Sequence, residues 1–185
     1  MENTINTEPI GVPGDFDYYV LQMSYAPEFC NTHPADKNTP ECSGNYNLVL
    51  HGLWPEYNKP RIINGKSYQY PQFCSKQWDN SDIQSILNEV KDWDKIAPEY
   101  QTLLQHELSK HCSCTTLDPI TYAKLAVKLA LDLPNPKIDE SMNKAQLQLL
   151  LPNGQLLYDT ENIFSGVNFF YDKNGVQITN PHILD

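Results

Sequence analysis

Hydrophobic and polar positions alternate with a helical period over residues 98–111 and predict an amphipathic helix there. At about 100° per residue, one apolar stripe collects four side chains: Tyr100, Leu103, Leu104 and Leu108. Glu107 and His111 fall inside this stripe, while His106 and Lys110 lie along its border. Because an unpaired buried charge is costly, we attribute this carboxylate and imidazole to chemistry rather than to packing.

Three other segments are predicted to be helical. A helix over about residues 82–92 follows Ser81 and Gln84, which are spaced as a capping box. A core helix begins at Asp118-Pro119, where an N-cap residue precedes a proline in the first turn. A weaker helical pattern covers residues 143–151.

Runs of β-forming residues predict strands at both ends of the chain. The predicted strands cover residues 18–24, 48–50, 155–158, 163–171 and 176–179. The second strand ends where His51 follows it, and residues 26–46 and 52–76 are predicted to be irregular. The class is therefore α+β: one domain with a central antiparallel or mixed sheet packed against several helices. We expect residues 1–16 to form a flexible N-terminal arm and residues 17–185 to form the folded domain.

Length and charge limit the functions that the chain can have. Its 185 residues suit one domain with a substantial core, and its net charge is −10, from 13 basic and 23 acidic residues. A negative field opposes extended tracking along DNA or RNA, so a nucleic-acid ligand must be gripped locally. Apolar runs are too short for a transmembrane helix, and residues 1–15 lack the charged start and apolar middle of a signal peptide.

The chain has five cysteines, namely Cys30, Cys42, Cys74, Cys112 and Cys114. This odd number allows two disulfides and one spare thiol, which would indicate an oxidising compartment. The alternative is five buried, reduced cysteines in a cytosolic protein.

Two histidine-containing segments carry the candidate chemistry. In His51-Gly52-Leu53-Trp54-Pro55-Glu56, a histidine at a strand end can project into a cleft, and Gly52 permits close approach. Trp54 offers a stacking face and Glu56 a hydrogen-bond acceptor for a base. Taken alone, this segment also suits a corner of the core.

The second segment, His106 to His111, supplies two imidazoles, a carboxylate and an ammonium group. This set suits phosphoryl transfer without a metal: one histidine removes a proton from a ribose 2′-hydroxyl and another protonates the leaving oxygen. Zinc is the alternative, but His106 and His111 lie five residues apart, about 140° around the helix. Cys112-Ser113-Cys114 lacks a second pair of ligands with matching spacing.

The motifs HGLWPE and HELSKHCSC together resemble the two active-site segments of the ribonuclease T-2 family, which read HGLWP and HEW-x-KHG-x-C in this order. The first match is complete. The second has Leu108 for the usual tryptophan and Cys112 for the usual glycine. YYVLQMSYAPEFC resembles the family more loosely, so that the likeness covers roughly residues 17–130.

The resemblance implies roles for particular side chains. His51 and His111 become the acid–base pair, with His111 favoured as the base and His51 as the acid. His106 would bind phosphate, and Glu107 and Lys110 would polarise it or stabilise the transition state. The implied base-binding residues are Trp54 and Glu56, together with Tyr68 or Tyr70. The implied disulfides are Cys30–Cys42 and Cys74–Cys114.

The activity implied is that of an endoribonuclease that cleaves single-stranded RNA by transesterification. A 2′,3′-cyclic phosphate is formed and then hydrolysed to a 3′-phosphate, without metal or other cofactor and without cleavage of DNA. We expect a monomer that does not bind membranes, in a secreted, periplasmic, lysosomal or vacuolar compartment. Leu108 and Cys112 suggest the alternative, a catalytically silent RNA-binding or cytotoxic signalling protein on the same scaffold.

Overall fold

The computed structural model describes residues 8–182. The central element of this part of the chain is an antiparallel sheet. In chain order the strands are β1 (Tyr18–Tyr25), β2 (Leu48–Glu56), β3 (Arg61–Ile63), β4 (Lys66–Tyr68), β5 (Gln155–Tyr158), β6 (Phe164–Tyr171) and β7 (Gln177–Ile178). The main sheet has the order β2-β1-β6-β5, and β7 also pairs with β6. β3 and β4 form a separate hairpin within the segment that was predicted to be irregular. The α+β class is confirmed, and the main sheet is antiparallel in all its described pairs.

Six helices accompany the sheet among the described residues. They are α1 (Ala26–Thr32), α2 (Pro40–Ser43), α3 (Ile83–Glu89), α4 (Tyr100–Lys110), α5 (Pro119–Asp132) and α6 (Lys144–Leu150). The prediction that residues 26–46 are irregular is wrong where α1 and α2 form. Each of these helices has a proline in its first turn. Asp82 rather than Ser81 caps α3, because its carboxylate accepts the N–H of Ser85. Asp118 caps α5 as predicted.

The core lies between one face of the sheet and helices α3, α4 and α5. From the sheet, Leu21 and Leu53 are fully buried, and Leu104 and Leu108 of α4 meet them in the same cluster. Leu108 is therefore an ordinary core residue. On the opposite face, Tyr18, Val20 and Phe170 form a smaller cluster against Ile178.

β2 is longer than predicted and contains a bulge at the first motif. Gln22 pairs with Gly52 and Met23 pairs with Leu50, so His51 is the extra residue between the two pairs. The prediction that His51 lies at a strand end is wrong, because the strand continues to Glu56. A bulge turns a side chain out of the regular alternation of a strand, and bulges are common beside active sites.

Both implied disulfides are present: Cys30–Cys42 joins α1 to α2, and Cys74–Cys114 joins the long loop to the segment after α4. Cys112 is a free, fully buried thiol in a 3₁₀ turn over residues 112–114. It is not among the residues with positive φ, so its Cβ causes no backbone strain there.

The predicted flexible arm covers residues 1–16, of which 1–7 lie outside the described residues. Ile10 forms an isolated bridge with Gln72, and the N–H of Gly14 donates to the carbonyl of Cys114. The flexibility of the arm stays a prediction. Within residues 8–182, helices are either too short or too polar to cross a membrane.

Candidate active site

Helix α4 presents its ionisable side chains as the periodicity predicted. Glu107 is 1% exposed and His111 is 4% exposed, whereas His106 is exposed at the border. His111 caps the helix, since its N–H donates to the carbonyl of Glu107. The carboxylate and one imidazole are therefore held inside the protein, beside β2.

Trp54 connects the two histidine segments. Its ring stacks on that of His111, with centroids 5.2 Å apart and planes at 22°. The rings of Trp54 and His51 meet nearly at right angles, with centroids 5.4 Å apart, and the indole Nε1 donates to Glu107 Oε2 at 2.9 Å. One side chain thus orients both candidate acid–base histidines and satisfies the buried carboxylate.

Gly52 makes this contact possible. A Cβ at this position would lie 2.2 Å from Trp54 Nε1 and 2.3 Å from Glu107 Oε2. Contacts this short do not occur in folded proteins, so only glycine leaves the indole–carboxylate hydrogen bond undisturbed. The groups that approach Gly52 closely are therefore two side chains of the protein itself, those of Trp54 and Glu107.

The environment lowers the pKa of all three histidines. Burial is the main cause for each, and the Lys110 ammonium contributes to each as well. The pKa of His111 falls well below its usual value, because His106 and His51 add to the repulsion of positive charge. Its Nδ1 is buried without a hydrogen-bond partner among the described residues. His51 Nδ1, in contrast, lies 3.3 Å from Ser24 Oγ.

A cleft of about 160 Å³ opens beside this group. Its lining residues are Trp54, Glu56, Tyr70, Lys110 and His111. Lys110 Nζ lies 5.8 Å from the centroid of the Tyr70 ring, which forms one wall. Tyr68 instead lies in β4 opposite Arg61 and does not line the cleft. Of the two tyrosines proposed from the sequence, the structure brings only Tyr70 to the site.

Burial raises the pKa of both glutamates of the site to about 7. For Glu107, the hydrogen bond from Trp54 and the charge of Lys110 oppose this shift. For Glu56, the hydroxyl of Tyr18 opposes it, donating to Oε2 over 3.5 Å. Tyr18 also contacts His182 Nε2 at 2.7 Å. The site therefore combines neutral imidazoles with carboxyl groups that take up protons near neutral pH.

Two contributors were missed by the sequence analysis. Ser24 faces His51 from β1, and nothing in the sequence pairs these two positions. Phe73 donates its N–H to the carbonyl of Lys110 at 2.9 Å and presents its ring to His106 at 6.3 Å. Its signal was its neighbour Cys74, whose disulfide to Cys114 holds the loop against the end of α4.

The described residues contain no cluster of three or more His, Cys, Asp or Glu side chains arranged to hold a metal ion. The group that does converge consists of two imidazoles against an indole, a third imidazole and an ammonium at the rim, and one buried carboxylate. Such a group can exchange protons with a bound substrate and can neutralise an anion between the histidines.

Comparison with known proteins identifies a family whose model matches most of the chain. The model of the ribonuclease T2 family matches residues 16–175. A ribonuclease of Aeromonas hydrophila is 30% identical over 126 residues, which are 68% of this chain and 50% of that protein. Ribonuclease DdI of Dictyostelium discoideum is 25% identical over 98% of this chain and 77% of its own length. The chain thus spans about half the length of the Aeromonas relative.

Solved structures share the fold. An RNase-related protein from Calystegia sepium superposes with a TM-score of 0.66 and 16% identity, over 91% of this chain and 92% of its own. RNase NT, solved in complex with 5′-AMP, superposes with a TM-score of 0.61 and 20% identity, over 90% and 91%. At these identities the likeness concerns the fold alone.

Proposed function

Because the chain belongs to the ribonuclease T2 family, we propose that it is an endoribonuclease that cleaves single-stranded RNA without a metal ion. One observation supports this most directly: Trp54 holds His51 of β2 in one group with Glu107 and His111 of the α4 segment. A fold retained without catalysis would not need neutral imidazoles and a buried carboxylate at its core.

In the proposed reaction, His111 is the base and His51 the acid. His111 takes the proton of the ribose 2′-hydroxyl, and the 2′-oxygen attacks phosphorus. As the bond from phosphorus to the 5′-oxygen breaks, His51 gives its proton to that oxygen, and a 2′,3′-cyclic phosphate remains. Water then opens the cyclic phosphate to a 3′-phosphate by the reverse proton transfers.

The pKa directions favour this assignment of roles. A base must be neutral and an acid protonated at the same pH. Burial lowers the pKa of both histidines, and that of His111 falls well below its ordinary value of 6.5, which favours the neutral form that a base requires. Because the pKa of His51 is also lowered, the protonated form that an acid requires is favoured only in acidic solution, and we expect the optimum below pH 6.5.

The remaining side chains hold the substrate. His106 and Lys110 bind the phosphate and stabilise the negative charge of the transition state, and Glu107 fixes Trp54 behind His111. The cleft between Trp54 and Tyr70 takes a base, whose edge is hydrogen-bonded by Glu56. DNA lacks the attacking hydroxyl and is not cut.

The catalytically silent alternative gains no support from Leu108 and Cys112. Leu108 is packed in the core, and Cys112 has unstrained backbone and lies fully buried. We also propose that the protein works in an oxidising compartment, since two disulfides tie its described part together.

The test is digestion of a defined single-stranded RNA in EDTA at pH 5 and pH 7.5, with the product ends identified. We expect cyclic phosphate followed by 3′-phosphate ends, faster cleavage at pH 5, and no cleavage of a linkage whose ribose is 2′-deoxy. His51→Ala and His111→Ala should each lower the rate by at least about 100-fold, whereas His33→Ala, in an exposed loop, should not. Undiminished cleavage by either variant would refute the proposal.

A further inference from the structure

A chain of three polar side chains leads from the cleft to solvent. Glu56 lines the cleft, and its Oε2 accepts a hydrogen bond from the Tyr18 hydroxyl over 3.5 Å. The same hydroxyl lies 2.7 Å from His182 Nε2. Neither Tyr18 nor His182 lines the cleft, and neither has a part in the proposed reaction.

The sheet and the segment after β7 fix this chain in place. Tyr18 and Glu56 are direct partners in the register of β1 and β2, so their side chains lie next to each other on one face. The Tyr18 ring is 2% exposed and packs against Phe170, with centroids 6.0 Å apart. The N–H of His182 donates to Asn180 Oδ1 at 2.9 Å, and Asn180 is buried. His182 itself is exposed, so one buried hydroxyl connects the carboxyl group of the cleft with solvent.

The Tyr18 hydroxyl has one hydrogen and two neighbours that can accept it. Burial, followed by the charge of Glu56, raises the pKa of Tyr18, so the hydroxyl keeps its proton. When Glu56 is protonated, its O–H donates to Tyr18, and Tyr18 donates to His182 Nε2. When Glu56 is ionised, an N–H at His182 Nε2 donates to Tyr18, and Tyr18 donates to Glu56. The two arrangements differ only in where the protons of the chain lie.

We infer that Tyr18 and His182 form a proton relay that ionises Glu56 and that His182 is therefore a positioning residue for base recognition. The inference rests on the proposed function. In the relay, Glu56 gives its proton to the Tyr18 oxygen while the Tyr18 proton passes to His182 Nε2. The carboxyl group becomes a carboxylate, the hydroxyl is unchanged, and the exposed imidazole holds the positive charge until water takes the proton. A base in the cleft covers Glu56 on the cleft side, and the relay keeps a second path for the proton open.

The charge of Glu56 decides which base it pairs with. An ionised carboxylate accepts two hydrogen bonds, as the N1–H and amine of guanine require. A protonated carboxyl group donates one and accepts one, as N1 and the amine of adenine require. Because His111 lines the cleft, the base there belongs to the nucleoside whose 2′-hydroxyl His111 deprotonates. The ratio of kcat/KM for GpU to that for ApU should therefore rise with pH as Glu56 ionises.

The pH at the midpoint of this rise reports the pKa of Glu56. Burial raises that pKa to about 7, and the hydrogen bond from Tyr18 opposes the shift. The other titratable groups that face the cleft or the hydroxyl are Tyr70, Lys110, His111 and Asp17. In the parent protein we expect the ratio to rise about 10-fold between pH 5 and pH 9, with its midpoint near pH 7.

The experiment measures this ratio from pH 5 to pH 9 in the parent, Tyr18→Phe and His182→Gln. A ratio of two substrates at one pH cancels the common effect of pH on the catalytic histidines. Phenylalanine keeps the ring but removes the hydroxyl, so the midpoint should rise by about 1 pH unit. Glutamine can donate to Tyr18 but cannot take up a proton, so His182→Gln should raise the midpoint by about 0.5 pH unit. A carbon-13 NMR titration of the Glu56 carboxyl carbon, identified by its absence in Glu56→Gln, should give the same order of midpoints without substrate.

Two matched controls change the same residue types elsewhere. Tyr46→Phe removes a hydroxyl that donates to the carbonyl of Asp94 at 2.8 Å, and His33→Gln changes an exposed histidine after α1. Both should keep the midpoint of the parent. Thermal unfolding checks that each variant folds, and His182→Gln, at an exposed position, tests the relay even if Tyr18→Phe is unstable.

An unchanged midpoint in His182→Gln, or an equal rise in the controls, would overturn the inference alone. Failure to cleave either dinucleotide, with the NMR midpoints in the expected order, would instead refute the proposed function.

Discussion

Gly52→Ala is the smallest change that tests how the site is assembled. The added methyl would stand 2.2 Å from Trp54 Nε1 and 2.3 Å from Glu107 Oε2. Since carbon and polar atoms need roughly 3.3 Å or more when they are not hydrogen-bonded, the indole and the carboxylate must separate by about 1 Å. Their hydrogen bond, now 2.9 Å, would then be lost.

The cost can be worked from these contacts. Leaving the 1%-exposed Glu107 carboxyl without its donor costs about 1.5–3 kcal/mol. Forcing side chains apart in a packed interior costs about 1–3 kcal/mol more. We expect the free energy of unfolding to fall by about 3–5 kcal/mol, which for a domain of this size lowers Tm by about 6–20 °C. Because Trp54 also stacks on His111, kcat should fall as well.

The assay is urea denaturation of four proteins: the parent, Gly52→Ala, Trp54→Phe and the double variant. Phenylalanine has a smaller ring and no Nε1 atom, so in the Trp54→Phe background the added methyl meets fewer ring atoms and breaks no hydrogen bond. The cost of Gly52→Ala should therefore be smaller by about 1–2 kcal/mol in the Trp54→Phe background. If the two single costs simply add, the hydrogen bond is not what Gly52 protects, and the reasoning fails.

Three further predictions concern other parts of the site. The pKa of Glu107 is raised from 4.5 to about 7, so its stabilising contribution is complete below pH 4.5 and is lost as pH rises through 7. Between pH 4.5 and pH 8 in urea titrations, the free energy of unfolding of Glu107→Gln should therefore rise by about 3 kcal/mol relative to that of the parent. The absence of such a rise would contradict the burial argument. Replacing Cys74 and Cys114 by serine should lower that free energy by about 2–5 kcal/mol, and a loss below 1 kcal/mol would show that the disulfide does little to hold the loop. Tyr70→Ala should raise KM for RNA about 10-fold through lost stacking, whereas the KM of Tyr68→Ala should stay near that of the parent. A larger rise for Tyr68→Ala than for Tyr70→Ala would contradict the placement of Tyr70 in the cleft.

The local sequence predicted the structure correctly where the apolar side of a periodic pattern is also the side that packs against the core. The helical period over residues 98–111 predicted the burial of Glu107 and His111, because α4 turns that one stripe toward the sheet. Cap residues located the start of α5 in the same way. The short helices α1 and α2 were missed, since seven and four residues are too few to show a period.

The position of His51 was beyond local reasoning for a different reason. A bulge is defined by the register of two strands, and β1 lies about 30 residues before the motif in the chain. The sequence LVLHGLWPE shows a run of β-formers, a histidine and a glycine, which suits a strand end equally well. Likewise, the stacking of Trp54 on His111 could not be predicted, because only the tertiary fold brings the two rings together.

Leu108 and Cys112 depart from the family's motif, and their surroundings show how helix α4 is held. Leu108 packs in the main core, and the thiol of Cys112 points at the carbonyl of Leu117, with its pKa raised to about 12 by burial. Apolar packing thus fixes the inward side of α4 and the turn that follows it. The Cys74–Cys114 disulfide and the N–H of Phe73, which donates to Lys110, fix the outer side of the same turn. His111, at the junction of helix and turn, is therefore restrained from both sides, as the proposed role of base requires if the imidazole is to meet a single hydroxyl of the substrate.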